Sequence, residues 1–422
     1  MVDSMSNVPK LRFKEFSGEW DETSIGDVSK IFGRIGYRGY TVNDIVEKGQ
    51  GAIALSPGNF VNNRLKLENS TYISWFKYEE SPEIMIENGD ILFVKTGSTF
   101  GKTAFVTSLD EKATINPQIV VLKEITMSNT LLSYIVTNTA IKKQVQKIVV
   151  GGAIPTMSQK ELAKMQFYLP YLEEQTKIAS FLTSVDTKIE QLTKKETLLQ
   201  EYKKGVMNKI FNQGIRFKAD DGSEFPEWEE KIIDKLPICI SDGNYGELYP
   251  TSEDFKTTGI PFLRANNIKN LKIDDSDTKY ISEKQHSTLT SGHLVTNDIL
   301  ITTRGELGNI ALIDEKHNGS NINAQICLLR VTDKSKLYYL YLLYILDYRD
   351  SKKQYKAFET GTALKQLPKG NLKKIIIKIP CLEEQTKIAN FLSSIDTKIE
   401  LTTKELNGTK EYKKALLQQM FV

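Results

Sequence analysis

The chain has 422 residues, 40% hydrophobic and 26% charged, with a net charge of +3; it is too long for one ordinary core and reads as a globular protein of two or three domains. Three scattered cysteines (Cys239, Cys327, Cys381) and three histidines (His286, His293, His317) lack disulfide-framework and metal-ligand spacing, which points to a reducing cytoplasm and away from a zinc site. Residues 1–171 carry 19 basic and 18 acidic side chains and residues 213–381 carry 24 and 23, so neither is a basic block, and any nucleic-acid footprint must be a local cluster.

Taken in chain order, the N-terminus "MVDSMSNVPKLRF" has no apolar h-region, and no secretory signal is expected. "LRFKEFSGEW" from Leu11 leads into a variable globular unit, residues 1–171, whose clusters include "FGRIGYRGY". "GDILFVKTGSTFG" from Gly89 predicts two strands around a glycine turn; the "GSTFGKT" within it has three residues, not the required four, between the first glycine and Gly-Lys, so it is no phosphate loop. "NPQI" from Asn116 lacks the second proline and the aromatic ring of an amino-methyltransferase motif. Residues 172–212 then place apolar side chains at Ile178, Leu182, Val185, Ile189, Leu192 and Leu199, in steps of three, four and seven that form a coiled-coil seam. Pro170 precedes this helix and Glu173–Glu174 put acid in its first turn. A second globular unit, residues 213–381, contains "FLRANNIKN" and the ten-residue apolar run "LYYLYLLYIL" from Leu337, too short to span a bilayer and therefore a buried helix. Residues 382–422 repeat the helix, with Ile388, Leu392, Ile395, Ile399, Leu406 and Leu416 on its seam.

The two helices are copies. "LEEQTKIASFLTSVDTKIE" from Leu172 and "LEEQTKIANFLSSIDTKIE" from Leu382 differ at three positions, and the match runs on through Glu201/Glu411 and Phe211/Phe421 at a constant offset of 210. Upstream the repeat is weaker and its offset drifts: "GDILFVKTGSTFG" answers "NDILITTRGELG", "INPQIVVLK" answers "INAQICLLR", and "GGAIPTMSQ" from Gly151 answers "GTALKQLPK" from Gly361. Globular parts that tolerate insertions alternate with helices that do not. About forty residues make a rod of about 60 Å. Two such rods either pack as an ordinary bundle kept by duplication or act as a ruler between two separated readers, a geometry that a two-fold duplex would use. Glu196, Lys203, Thr402, Thr409 and Lys413 interrupt the seam and are expected to set register or contact other subunits.

At this point the chain resembles the specificity subunit of type I restriction–modification systems over essentially its full length, most closely in "LPYLEEQTKIASFLTSVDTKI", "IPCLEEQTKIANFLSSIDTKI" and the N-terminal "LRFKEFSGEW", with Leu169 standing where that family has isoleucine. The resemblance implies a mixed α/β (α+β) fold: two homologous target recognition domains separated by two long helices that form an antiparallel coiled coil, with pseudo-twofold symmetry. It implies that each domain reads half of an asymmetric bipartite site on double-stranded DNA. The helices would set the spacing and, with the bundle ends, dock two methyltransferase subunits, which two restriction subunits then join. No adenosylmethionine, helicase or nuclease signature is present, so S-adenosylmethionine and ATP/Mg are expected on the partners, catalysis is expected from them, and no metal is expected here.

Flat hydrogen-bonding side chains read bases, and Lys, Ser and Thr hold phosphates. The candidates in the first unit are Arg34, Tyr37, Arg38, Asn59, Asn62, Asn63, Arg64, Lys95, Ser98, Thr99 and Lys102. In the second they are Asn244, Tyr245, Arg264, Asn266, Asn267, Thr302, Thr303 and Arg304. Two rival readings remain at this level: a non-catalytic scaffold whose variable domains bind proteins, which the even charge balance favours, and a stand-alone restriction enzyme or methyltransferase.

Overall fold

The structure, a computed structural model, describes residues 7–148, 155–245 and 249–422, apart from the side chains of Tyr37 and Ile148. The chain divides into two compact units, one formed by residues 1–193 with 404–422 and the other by residues 194–403. The expected boundaries at 171, 212 and 381 follow the helix ends, whereas these units each contain part of both helices.

In the first unit a six-stranded sheet has the order Lys30–Gly33, Ile119–Lys123, Ile91–Val94, Thr103–Phe105, Arg64–Leu65, Phe60–Val61. Strand Ile91–Val94 is wholly apolar because it is covered on both faces. Ile91 and Phe93, with Val120 and Leu122, face a helical layer containing Leu131, Ile135 and Leu182. Leu92 and Val94, with Ile119 and Val121, face a four-stranded sheet that contributes Ile53 and Leu55. The second unit repeats the arrangement: Ile299, Ile301 and Leu329 pack with helices, while Leu300 and Leu328 face the opposite core. The predicted glycine turns are present. Ile91–Val94 pairs antiparallel with Thr103–Phe105, as Ile299–Thr302 does with Ile310–Leu312. Gly97 (φ +102°) and Gly305 (φ +78°) occupy the left-handed region between them. The run from Leu337 forms helix Tyr339–Asp347, with Tyr341 through Leu346 buried as expected.

The long helices span Leu172–Phe211 and Leu382–Gln419. The last residues, Met420 and Phe421, leave the helix and bury in the first unit. Within that unit the N-terminal seam residues Ile178, Leu182 and Val185 share a core with Leu416, Met420 and Phe421 from the end of the other helix. In the second unit Ile388, Leu392 and Ile395 share a core with Met207, Ile210 and Phe211. In each unit the start of one helix therefore packs against the end of the other, which is antiparallel pairing. Leu192 and Leu406 are buried, and Ile189, Leu199 and Ile399 half-buried. The seam differs from an isolated coiled coil in one respect. Its N-terminal residues also pack on the sheet's helical layer, so they serve two partners at once.

The polar interruptions have a physical role. Asp186 accepts from the Tyr134 phenol at 2.7 Å and pairs with Lys413 at 2.5 Å in the first unit. Asp396 accepts from the Tyr344 phenol at 2.7 Å and pairs with Lys203 at 2.5 Å in the second. Each lysine also lies over its tyrosine ring, at 5.4 and 5.1 Å from the centroid. The same three-way relation is built twice from residues 210 apart. A helix insertion would move the aspartate of one lock and the lysine of the other out of register, which accounts for the constant offset. Glu196 accepts from the Thr403 hydroxyl, and buried Thr402 returns its own hydroxyl to the Lys398 carbonyl.

The leading segments dock on the same helices. Arg12 forms a fork to Glu174 (2.8 and 2.7 Å) and Arg216 reaches Glu384 (3.0 Å), both glutamates being buried. Gln175 and Gln385, next in the repeated motif, accept from the backbone N–H groups of Ser128 and Tyr338, where the short helices of each unit begin. The motif "LEEQ" is thus a fastening between helix and domain.

Candidate nucleic-acid interface

In each unit one end of the main sheet's interior strands, Ile91–Val94 and Ile299–Thr302, gathers the glycine turn, the chain leaving that strand, and a returning loop. Lys95 N–H donates to the Gln118 carbonyl at 2.8 Å and Met157 N–H to the Lys95 carbonyl at 2.8 Å. Thr303 N–H donates to the Gln325 carbonyl and Leu367 N–H to the Thr303 carbonyl, also at 2.8 Å each. The "NPQ" and "NAQ" triplets frame this end, since Asn116 and Asn323 each accept from the backbone N–H two residues on and donate to that residue's side-chain oxygen.

Several candidate readers are spent inside the fold. Arg34 is 4% exposed and donates to the Ile115 carbonyl, the Arg38 carbonyl and the Thr114 hydroxyl, and burial lowers its pKa. Asn59 and Asn267 are buried and perform one task in both units: each accepts from the backbone N–H three residues back and donates to the carbonyl seven residues on. Asn244 is buried between Ser291 and Thr290. Thr302 and Thr303 are buried and donate to the carbonyls of Glu306 and Gln325. Asn and Thr suit base and phosphate contacts through their hydrogen-bonding capacity, and turns consume the same capacity.

Others stand at the surface in engaged form. Asn62 and Asn63 (φ +51° and +62°) make a two-residue turn between Phe60–Val61 and Arg64–Leu65, and Asn63 binds the Thr103 hydroxyl at 2.8 Å. Asn270 and Leu271 make the same turn in the second unit. Arg64 pairs with Glu190 on the long helix at 2.8 Å, as Lys272 does with Glu400 at 2.6 Å. Arg38 lies 3.7 Å from Glu83. Arg264 donates to both the carbonyl and the carboxylate of Asp277, and Asn266 joins the same carboxylate at 3.2 Å. The Tyr37 side chain lies outside the described residues.

What remains presented at this end is Ser98, Thr99 and Lys102 (exposed) and Lys95 (half-buried) in the first unit. In the second unit Tyr245 and Arg304 are presented, with the guanidinium 5.0 Å from the ring centroid. They border a polar recess of about 190 Å³ also lined by Gln366 and Lys369, which sequence reasoning missed. The repeat alignment does place Gln366 opposite Thr156, but nothing local to "TALKQLPK" signals that it meets Arg304. Among the described residues no cluster of three His, Cys, Asp or Glu is arranged for a metal, and no helix is long and apolar enough to cross a membrane.

A family profile described as the type I restriction modification DNA specificity domain matches twice, over residues 17–200 and 227–411. The chain is 28% identical over 349 residues to the type I restriction enzyme MjaVIII specificity subunit of Methanocaldococcus jannaschii, covering 79% of each chain. It is 24% identical to the putative MjaX specificity subunit of the same organism, covering 97% of this chain and 95% of that one. The fold is similar to the S subunit of a type I restriction–modification system from M. genitalium, with a TM-score of 0.62 at 16% identity over 98% of this chain and 99% of the other.

Proposed function

The chain belongs to the type I restriction–modification DNA specificity family, a family of non-catalytic subunits, and from that premise we propose that it is the DNA-reading subunit of such a complex. Each globular unit reads one half of a bipartite, asymmetric target on double-stranded DNA, and the paired helices hold the interval between the halves. Two methyltransferase subunits dock on the polar flanks and ends of the helix pair and bring S-adenosylmethionine; two restriction subunits bring ATP and Mg. The complex works in the cytoplasm, where its DNA is.

The observation that carries this reading is the double match to the DNA specificity domain, over residues 17–200 and 227–411, and the doubled Asp–Lys–Tyr lock supports it by tying both helices to one length. Duplex binding by the chain assembled with methyltransferase subunits tests it. Binding to the half-sites together should fall steeply with salt, about a thousandfold between 50 and 200 mM if six or more phosphates are contacted, while retaining sequence preference.

A second reading, a scaffold with two variable protein-binding domains, draws on the balanced charge of both units. It predicts no salt-dependent duplex binding even after assembly.

A further inference from the structure

The two units share a backbone at the candidate interface and differ in the side chains hung on it. The glycine turn forms an isolated bridge to the returning loop in both: Thr96 with Thr156, and Arg304 with Gln366. The flanking bonds match, Gly97 N–H to the Pro155 carbonyl at 3.2 Å and Gly305 N–H to the Lys365 carbonyl at 3.3 Å. In the first unit the two threonine hydroxyls satisfy each other at 2.7 Å. In the second, the same two positions carry a guanidinium and an amide.

Arg304 is prepared for a ligand in a way the other surface arginine candidates are not. Arg38, Arg64 and Arg264 each face a carboxylate, whereas among the described residues none pairs with Arg304. Asp242, the acid in the same recess, is already engaged by Lys369 at 3.1 Å and by the Cys327 thiol. Tyr245 holds the guanidinium against its ring, and its own hydroxyl is anchored on the Ala324 carbonyl at 3.1 Å. A planar fork fixed on an aromatic face loses little rotamer freedom when it binds and presents paired donors in one plane. That plane suits the O6/N7 edge of guanine, and an adjacent amide suits the edge of adenine. A phosphate would need neither the fixed plane nor the amide.

Resting on the DNA-reading function above, we propose that the bridge Arg304–Gln366 is a sequence-determining pair of the second unit: Arg304 reads a guanine in the major groove, Gln366 reads the adjoining base pair, and Tyr245 positions the guanidinium. The threonines at the same bridge make the first unit read something else, so one backbone site gives two unlike half-sites.

The test uses the full chain assembled with its methyltransferase subunits and a duplex library randomised in both half-sites, scored for methylation. Arg304→Ala should lose about tenfold to a hundredfold of preference at one guanine of one half-site and leave the other half-site intact. Arg304→Lys, which keeps the charge and is the safer folding control, should not restore it. Gln366→Ala should relax the neighbouring position only. A uniform loss over all sequences with Arg304→Ala, rescued by lysine, would make the contact a phosphate contact and overturn the proposal, as would an unchanged preference. If the wild-type assembly selects no sequence at all, the DNA-reading function itself fails and this assignment with it.

Discussion

Replacing Asp396 with alanine tests the lock between the helices. The carboxylate is about a third exposed (32%) and Lys203 is 15% exposed, so the ion pair contributes about 1 kcal/mol after solvent screening. The larger loss comes from Tyr344, which is 2% exposed; burial, then the Asp396 carboxylate, pushes its phenol well above the ordinary value. Removing the acceptor strands that buried hydroxyl at a cost of about 1–3 kcal/mol. Asp396→Ala should therefore cost about 2–4 kcal/mol, and Asp396→Asn, which keeps an acceptor, about 1–2. Because Tyr134 and Lys413 surround Asp186 in the same way, Asp186→Ala should cost a similar amount. Urea denaturation of single and double variants measures this, with a Lys203–Asp396 coupling of about 1 kcal/mol expected from the double-mutant cycle. Zero coupling, with Asp396→Ala within about 0.5 kcal/mol of wild type, would mean an ordinary solvated pair and would remove the physical basis for the constant helix length.

Glu384→Gln keeps an acceptor for the Trp228 indole N–H but takes the charge from Arg216; it should cost about 3 kcal/mol, a fall of roughly 6–12 °C in unfolding midpoint for a unit of this size. Arg264→Ala should lower stability through the lost Asp277 contacts and leave base preference unchanged in the methylation library, in contrast to Arg304→Ala. One heptad added to each helix should widen the gap between half-sites by about 10 Å, roughly three base pairs at 3.4 Å each; an unchanged gap in mapped methylation would show that the helices do not measure it. Exchanging residues 213–380 for those of another family member should alter one half of the methylated target and spare the other.

The helices were legible because their signal is redundant: an apolar period, acid after proline, and a copy at constant offset. Their locks were half legible. Lys203 and Lys413 stand out as polar residues on an apolar seam, but Asp186 and Asp396 sit beside it, and only the antiparallel register brings each to its lysine and tyrosine. The glycine turns were readable from strands flanking Gly97 and Gly305. The candidate interface was not, because residue type does not distinguish a base reader from a turn clamp. Asn59, Asn267 and Asn244 have the right chemistry and spend it on their own backbone. Gln366 has the same chemistry, but its position beside Arg304 comes from a bridge between distant segments, which no local pattern reports.

Mapping methylated bases in cells that express the chain with its methyltransferase partners tests the central claim most directly. The predicted result is a single asymmetric target of two unlike specified halves separated by a fixed unspecified gap. A contiguous target, a gap of variable length, or methylation without sequence preference would contradict it.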